Sequence, residues 1–176
     1  NYFDVLIVGL GPTGATLALL LSRYNVRTVV LDKEADIYPL PRAVHFDDET
    51  MRIFQNINIA RDLESYLHIN PGMRFVDRNG NLLLDWPRSQ QVTEQGWNAS
   101  YRFHQPDLER FLRKKVCESP LIKVQTECKV INIQQEEDYA RTTYFDKVKK
   151  CEFHVFSEYV VGCDGSNSLT REKLFT

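Results

Sequence analysis

Runs of unbroken apolar residues alternate with helical spacing at the start of this chain. Val5-Leu6-Ile7-Val8 is apolar and mostly β-branched, the pattern of a strand buried on both faces. Gly9-Leu10-Gly11-Pro12-Thr13-Gly14 interrupts it. Leu17, Leu20 and Leu21 then recur at helical spacing, which predicts a helix over residues 15–24. Asn25-Val26 turns the chain, and Arg27-Thr28-Val29-Val30-Leu31 reads as a second buried strand that ends in Asp32. This is a βαβ unit, and right-handed crossover makes its two strands parallel neighbours.

Further along, the pattern changes. Residues 33–41 form a loop punctuated by Pro39 and Pro41, followed by a helix from Asp47 or Asp48 to Gln55 with acids in its first turn. A short helix is expected over 62–66. Apolar runs at 73–77 and 82–85 flank Asn79-Gly80, a hairpin signal. Residues 106–117 read as a helix with Pro106 first and with Leu108, Phe111 and Leu112 inward. Strands are predicted at 122–125, 128–134, 142–148 and 152–157, the last three as an antiparallel meander. A separate strand at 158–162 runs into the loop Cys163-Asp164-Gly165-Ser166-Asn167. The class is α/β: a Rossmann-like domain with a parallel central sheet and a small antiparallel β-meander.

Composition narrows the reading further. With 176 residues, 43% hydrophobic and 26% charged, the chain matches an ordinary globular domain, which excludes disorder, collagen and coiled coil. The net charge of −2 provides no footprint for nucleic acid or an anionic membrane, and neither is expected as a partner. The longest apolar run, residues 17–21, falls far short of the ~20 residues of a spanning helix. No secretory signal is visible, so a cytoplasmic location is expected. Cys117, Cys128, Cys151 and Cys163 form no C-x-x-C pair and have no histidine at zinc spacing; reduced thiols and no metal are expected. The sequon Asn98-Ala99-Ser100 is then a coincidence. The opening without Met and a close inside a starting helix lead us to expect a piece of a longer protein.

Candidate chemistry concentrates in three places. Gly9-x-Gly11-x-x-Gly14 follows a strand and opens a helix, and Asp32 stands 18 residues beyond Gly14 at the end of the next strand. That context is the dinucleotide fingerprint. Gly9 allows the tight turn, Gly11 admits a pyrophosphate close to the backbone, and Gly14 lets the helix pack on the strand. The helix N-terminus offers N–H groups to the phosphates. Asp32 would accept from the ribose hydroxyls and repel a 2′-phosphate, which favours FAD or NAD over NADP as the resident nucleotide. Pro12, Thr13 and Lys33 complete the candidates around this nucleotide. The second place is Arg42, after two prolines, with a guanidinium suited to clamping a phosphate. The third is the loop after the last strand, Asp164-Gly165 with Ser168 and Arg171, which is a second turn suited to face a ligand at the same sheet edge.

Together these residues resemble the FAD-dependent aromatic hydroxylases, the single-component (group A) flavoprotein monooxygenases. Gly9 to Gly14 and Asp32 match the family's first nucleotide motif. Asp164-Gly165, Ser168 and Arg171 match its Asp-Gly motif, which serves FAD and the nicotinamide cofactor. Arg42 matches an FAD-contacting arginine, and Gln105 the glutamine that opens the helix beside the cofactor. The stretch from Pro41 to Glu49, with Met73-Arg74-Phe75 and Gly96-Trp97, is most similar to the 3-(3-hydroxyphenyl)propionate hydroxylase branch. The resemblance implies one FAD-binding domain over residues 1–176, the N-terminal part of a monooxygenase. NAD(P)H would be its transient reductant, O₂ and a small phenolic acid its substrates, and a flavin C4a-hydroperoxide its oxygen donor. It places His45 and the acids at 47–49 near the flavin, while a solvated helix start is the simpler reading of those acids. His68, His104 and His154 read as structural or surface residues. No catalytic side chain is assigned. The family's later Gly-Asp motif, the substrate sheet and the C-terminal region are expected beyond Thr176. Two other readings stay open: a NAD-linked Rossmann dehydrogenase, and a non-catalytic nucleotide-binding module.

Overall fold

The computed structural model describes residues 2–174 and divides into two units, residues 1–39 with 109–176 and residues 40–108. In the first unit β1 (Tyr2–Val8) leads through α1 (Pro12–Arg23) to β2 (Thr28–Leu31). The two strands pair in parallel as expected, with Val8 opposite Leu31. The last four residues of β1 and all of β2 are buried, because a strand with layers on both faces has no polar side to show. α1 begins three residues before the predicted start. Gly11 is extended as its N-cap, and Pro12, whose ring presets a helical φ, opens the first turn. Asn25, with φ +60°, makes the turn into β2.

Beyond β2 the sheet continues through β8 (Ile122–Gln125), β9 (Cys128–Gln135), β10 (Ala140–Asp146) and β11 (Cys151–Gly162), in the order β8-β2-β1-β11-β10-β9. β9, β10 and β11 are antiparallel, as predicted. The strands expected at 152–157 and 158–162 are one element. Its first half pairs antiparallel with β10 and its second half parallel with β1, and Ser157 pairs with both Ala140 and Phe3. The polar Ser157-Glu158 pair looks like a break in sequence, yet Ser157 is fully buried between two partners. β10 stops two residues before its predicted end, because the Asp146 carboxylate accepts the N–H groups of Val148 and Lys149 and turns the chain. Leu6, Val8, Val29, Leu31, Val130, Ile133, Tyr144 and Val155 form one buried hydrophobic cluster among the strands of this sheet. α5 (Leu169–Leu174) follows β11; residues 175 and 176, at the expected close inside a helix, lie outside the described residues.

The second unit holds β3 (His45–Asp47), α2 (Asp48–Asn56), α3 (Ala60–Leu63) with a 3₁₀ turn, β4 (Leu67–Ile69), β5 (Gly72–Val76), β6 (Leu82–Pro87) and β7 (Ser100–Phe103). β5 and β6 form the hairpin announced by Asn79-Gly80, with Gly80 at φ +85°. The sheet β3-β7-β4 escaped prediction, because its strands of three or four residues mix polar and apolar positions and lack the unbroken apolar run that marks β2. Phe46, Phe54, Tyr101 and Phe103 pack on one of its faces. α4 (Gln105–Glu118) starts one residue before the predicted Pro106 and runs across the division between the units. No helix among the described residues is long and apolar enough to cross a membrane.

Candidate functional site

At the carboxyl edge of the six-stranded sheet, Val8 stands in register with both Leu31 and Gly162, so β1, β2 and β11 end level. Ligands of open α/β sheets bind at this edge. The backbone N–H of Gly9 donates to the Leu31 carbonyl at 2.8 Å, and that of Cys163 donates to the Val8 carbonyl at 2.8 Å, lacing the turns after β1 and β11 to their neighbours. Gly9 has φ +103°, and a Cβ there would lie 2.5 Å from the Cys163 carbonyl oxygen. A Cβ on Gly14 would collide with the Gly9 carbonyl. Gly11 is different: its φ is an ordinary −72°, and a Cβ would meet nothing within 4 Å. Two glycines therefore hold backbone segments together, and the one between them keeps a space open.

α1 starts at that space without a side-chain cap. The N–H groups of Thr13 and Gly14 have no acceptor within the helix, and its positive end faces outward there. A cradle that a side chain would fill, floored by free donors, fits the pyrophosphate of a dinucleotide.

Asp32, at the end of β2, is almost fully buried. Its Oδ2 accepts the N–H of Leu10 at 2.7 Å and its Oδ1 that of Glu34 at 2.8 Å. The carboxylate thus ties the glycine loop to β2, and two of its roughly four lone-pair positions remain for another donor. Arg113, from α4, holds a guanidinium nitrogen 3.8 Å from Asp32 Oδ2, while its Nε is buried without a hydrogen-bond partner. Sequence spacing gave no signal for this arginine, since it arrives from a helix 81 residues further along. Lys33 is exposed beside Asp32.

In the loop after β11, Asp164 serves α5. Its Oδ1 accepts from Ser168 Oγ at 2.6 Å, and its Oδ2 from the N–H and hydroxyl of Thr170 at 3.1 and 3.2 Å. Burial alone would push this carboxyl up, but the hydrogen bonds from Ser168 and Thr170 outweigh it and hold it below the ordinary carboxylate value. Ser168 Oγ accepts the Arg171 N–H, and the Arg171 guanidinium donates to the Ser166 carbonyl at 2.7 Å. Gly165, at φ +80°, leaves open space where its side chain would be. Asp164, Ser168 and Arg171 are thereby linked by hydrogen bonds across this turn.

Arg42 and Gln105 belong to the second unit. The buried Gln105 accepts the backbone N–H groups of Arg42 and Ala43 on one oxygen, at 2.7 and 2.8 Å, so it fixes the path of the loop that presents Arg42. Asp47 caps α2 by accepting the Thr50 N–H and hydroxyl, bonds that lower its pKa, as a helix-start reading requires. His154 bonds across the sheet to Thr143, and His104 lies 2.9 Å from Asp107 at the start of α4.

The profile of the family described as "FAD binding domain" matches residues 2–176. A probable NADH-specific resorcinol 4-hydroxylase from Rhodococcus jostii (strain RHA1) is 35% identical over 169 residues, 96% of this chain and 32% of that protein. A 3-(3-hydroxy-phenyl)propionate/3-hydroxycinnamic acid hydroxylase from Burkholderia cenocepacia (strain HI2424) is 33% identical over 174 residues, 99% of this chain and 32% of its own length. The chain therefore spans about a third of these relatives. Among solved structures, the flavin-dependent monooxygenase PieE in complex with FAD and substrate superposes with a TM-score of 0.88 at 24% identity, covering 99% of this chain and 32% of that one; at that identity the likeness shows the fold.

Proposed function

The chain belongs to the FAD binding domain family, and from that premise we propose that it holds the ADP half of FAD within a NAD(P)H-dependent monooxygenase that hydroxylates a phenolic aromatic acid such as 3-(3-hydroxyphenyl)propionate. The observation that carries the reading is the open space at Gly11, between two glycines that admit no side chain and at an uncapped helix start. Gly11, Thr13 and Gly14 receive the pyrophosphate on backbone N–H groups, while Gly9, whose N–H is held by Leu31, makes the tight turn and Pro12, which has no N–H, opens the helix beside it. Asp32, beside Lys33, accepts from the adenosine ribose. Asp164 and Gly165 shape the neighbouring turn. Arg42, on the loop that Gln105 holds, contacts FAD in the same reading. When bound, FAD supplies the redox chemistry, passing electrons from the nicotinamide to O₂ so that one oxygen atom enters the ring. The protein's own part is to bind and orient, so no nucleophile or acid–base pair is assigned. The substrate class rests on the printed activities of relatives that match nearly the whole of this chain. A cytoplasmic setting suits the four unpaired thiols.

The test uses the whole protein of which this chain is part, purified and assayed for flavin absorbance, for NADH and NADPH consumption, and for product mass over a panel of phenolic acids and resorcinol. A yellow protein that consumes reductant and adds one oxygen atom to an acid supports the reading. A colourless protein that retains a nicotinamide nucleotide replaces it with a dehydrogenase. Bound FAD with no reductant consumed on any phenol replaces it with a binding module.

A further inference from the structure

The three-stranded sheet of the second unit places His45, Arg102 and His68 in one register row, with Arg102 central. They share the face opposite the aromatic cluster of Phe46, Tyr101 and Phe103, and all three are exposed. Arg102 is held in place: its Nε donates to Asn70 Oδ1 at 2.9 Å and its Nη2 to the Gly72 carbonyl at 2.6 Å. Asn70 is itself buried and donates to Ser100 Oγ at 3.0 Å, so the guanidinium rests on a fixed support. A guanidinium carries five N–H donors. These bonds leave Nη1 without a hydrogen-bond partner among the described residues.

Arg102 also lines an open cavity of about 400 Å³ in the same unit, within the range of about 300–1,000 Å³ typical of small-molecule sites. Its other walls include apolar Pro71, Met73 and Pro87, together with Arg74 and Asp85, which pair at 3.4 Å. The charged lining is thus two arginines and one aspartate, a net positive charge beside an apolar wall. A rigid arginine with spare donors in such a cavity matches a carboxylate attached to an apolar body, because a guanidinium can bond both carboxylate oxygens and the body can cover Met73 and the prolines.

We propose that this cavity is a carboxylate subsite: Arg102 binds the carboxylate of an aromatic acid, Arg74 adds charge, and Asp85 weakens the attraction by competing for Arg74. The inference rests on the oxygenase reading for its choice of ligand, since the relatives of this chain include hydroxylases of an aromatic propionate, but its test does not depend on turnover.

Binding to the whole protein, with and without added FAD, is measured by ligand-observed NMR titration. The probes are 3-phenylpropionate, which has the carboxylate without a phenolic hydroxyl; 3-phenyl-1-propanol, its neutral counterpart; and inorganic phosphate. The expected result is that the propionate binds at least tenfold tighter than either of the others, since one hydrogen bond to a charged group is worth about a factor of ten or more. Arg102→Gln should erase that preference. Because Arg102 also braces the turn at residues 70–72, Asp85→Asn provides a second measurement on an exposed pair, and it should tighten the propionate about two- to fivefold with the alcohol unchanged. Equal binding of acid and alcohol, a preference that survives Arg102→Gln, or no tightening in Asp85→Asn overturns the subsite. A separate FAD titration keeps the two readings apart: carboxylate preference without FAD binding sinks only the oxygenase, and FAD binding without the preference sinks only the subsite.

Discussion

Replacing Gly9 and Gly11 in turn separates space needed by the fold from space needed by a ligand. Gly9→Ala puts a methyl group 2.5 Å from the Cys163 carbonyl oxygen, at φ +103°. Backbone strain of this kind costs about 1–3 kcal/mol, and overpacking adds a similar amount; a loss of about 2–6 kcal/mol follows. At roughly 2–4 °C per kcal/mol for a domain of this size, the melting temperature falls by about 4–24 °C. Gly11→Val instead enters open space at an ordinary φ. The stiffer unfolded chain contributes about 0.4–1 kcal/mol, offset by a poorer N-cap, so stability stays within about 1 kcal/mol. Its branched side chain occupies the cradle, and FAD affinity should fall at least about 100-fold, or about 2.7 kcal/mol. Thermal melts of the FAD-free proteins and FAD titrations followed by flavin fluorescence provide both numbers. If Gly11→Val binds FAD within about threefold of the parent, or melts as low as Gly9→Ala, the cradle argument is wrong.

Other expectations follow from the same contacts. Asp32→Ala leaves the Leu10 and Glu34 N–H groups without their acceptor, so the FAD-free protein should lose about 1–3 kcal/mol in denaturant melts while FAD weakens by about 1.5–3 kcal/mol. Adding Arg113→Met should cost less than the two separate losses combined, because the arginine no longer faces a missing charge; strict additivity would deny that the pair interact. Since the Asp164 carboxyl lies below its ordinary value, its support of α5 should be complete at neutral pH and lost only as pH falls through the lowered value, beneath about 4. Amide exchange at Thr170 reports it, and protection lost near pH 6 would contradict the assignment. Gln105→Leu should speed amide exchange at Arg42 and Ala43 by about tenfold, whereas Gln105→Glu keeps an acceptor and should largely preserve protection.

Local signals marked the part of the candidate site nearest the start of the chain. The apolar run into Gly9, the glycine spacing and Asp32 at the end of the next strand all lie within about thirty residues, and each has a local cause: burial on both faces, a positive φ, a helix start. The Asp164 loop was found the same way, as a turn after an apolar strand. What went unread depended on distant partners. The two stretches that form β11 looked separate because nothing local indicates that Ser157 is buried between β1 and β10. Arg113 carries no mark that distinguishes it from other arginines of an amphipathic helix. Gln105 was singled out, but its bond to the loop at Arg42 spans 63 residues.

The order of residues was enough to specify a βαβ opening with a glycine turn at a helix start, because backbone sterics and hydrophobic period act over a few neighbours. Folding alone determined that Gly11 faces open space while Gly9 and Gly14 face other backbone, that the Asp32 carboxylate laces the loop to its strand, and that Arg102 stands fixed in a cavity beside two histidines. Those are relations between segments brought together by burial, and chain order does not encode a distance between side chains dozens of residues apart.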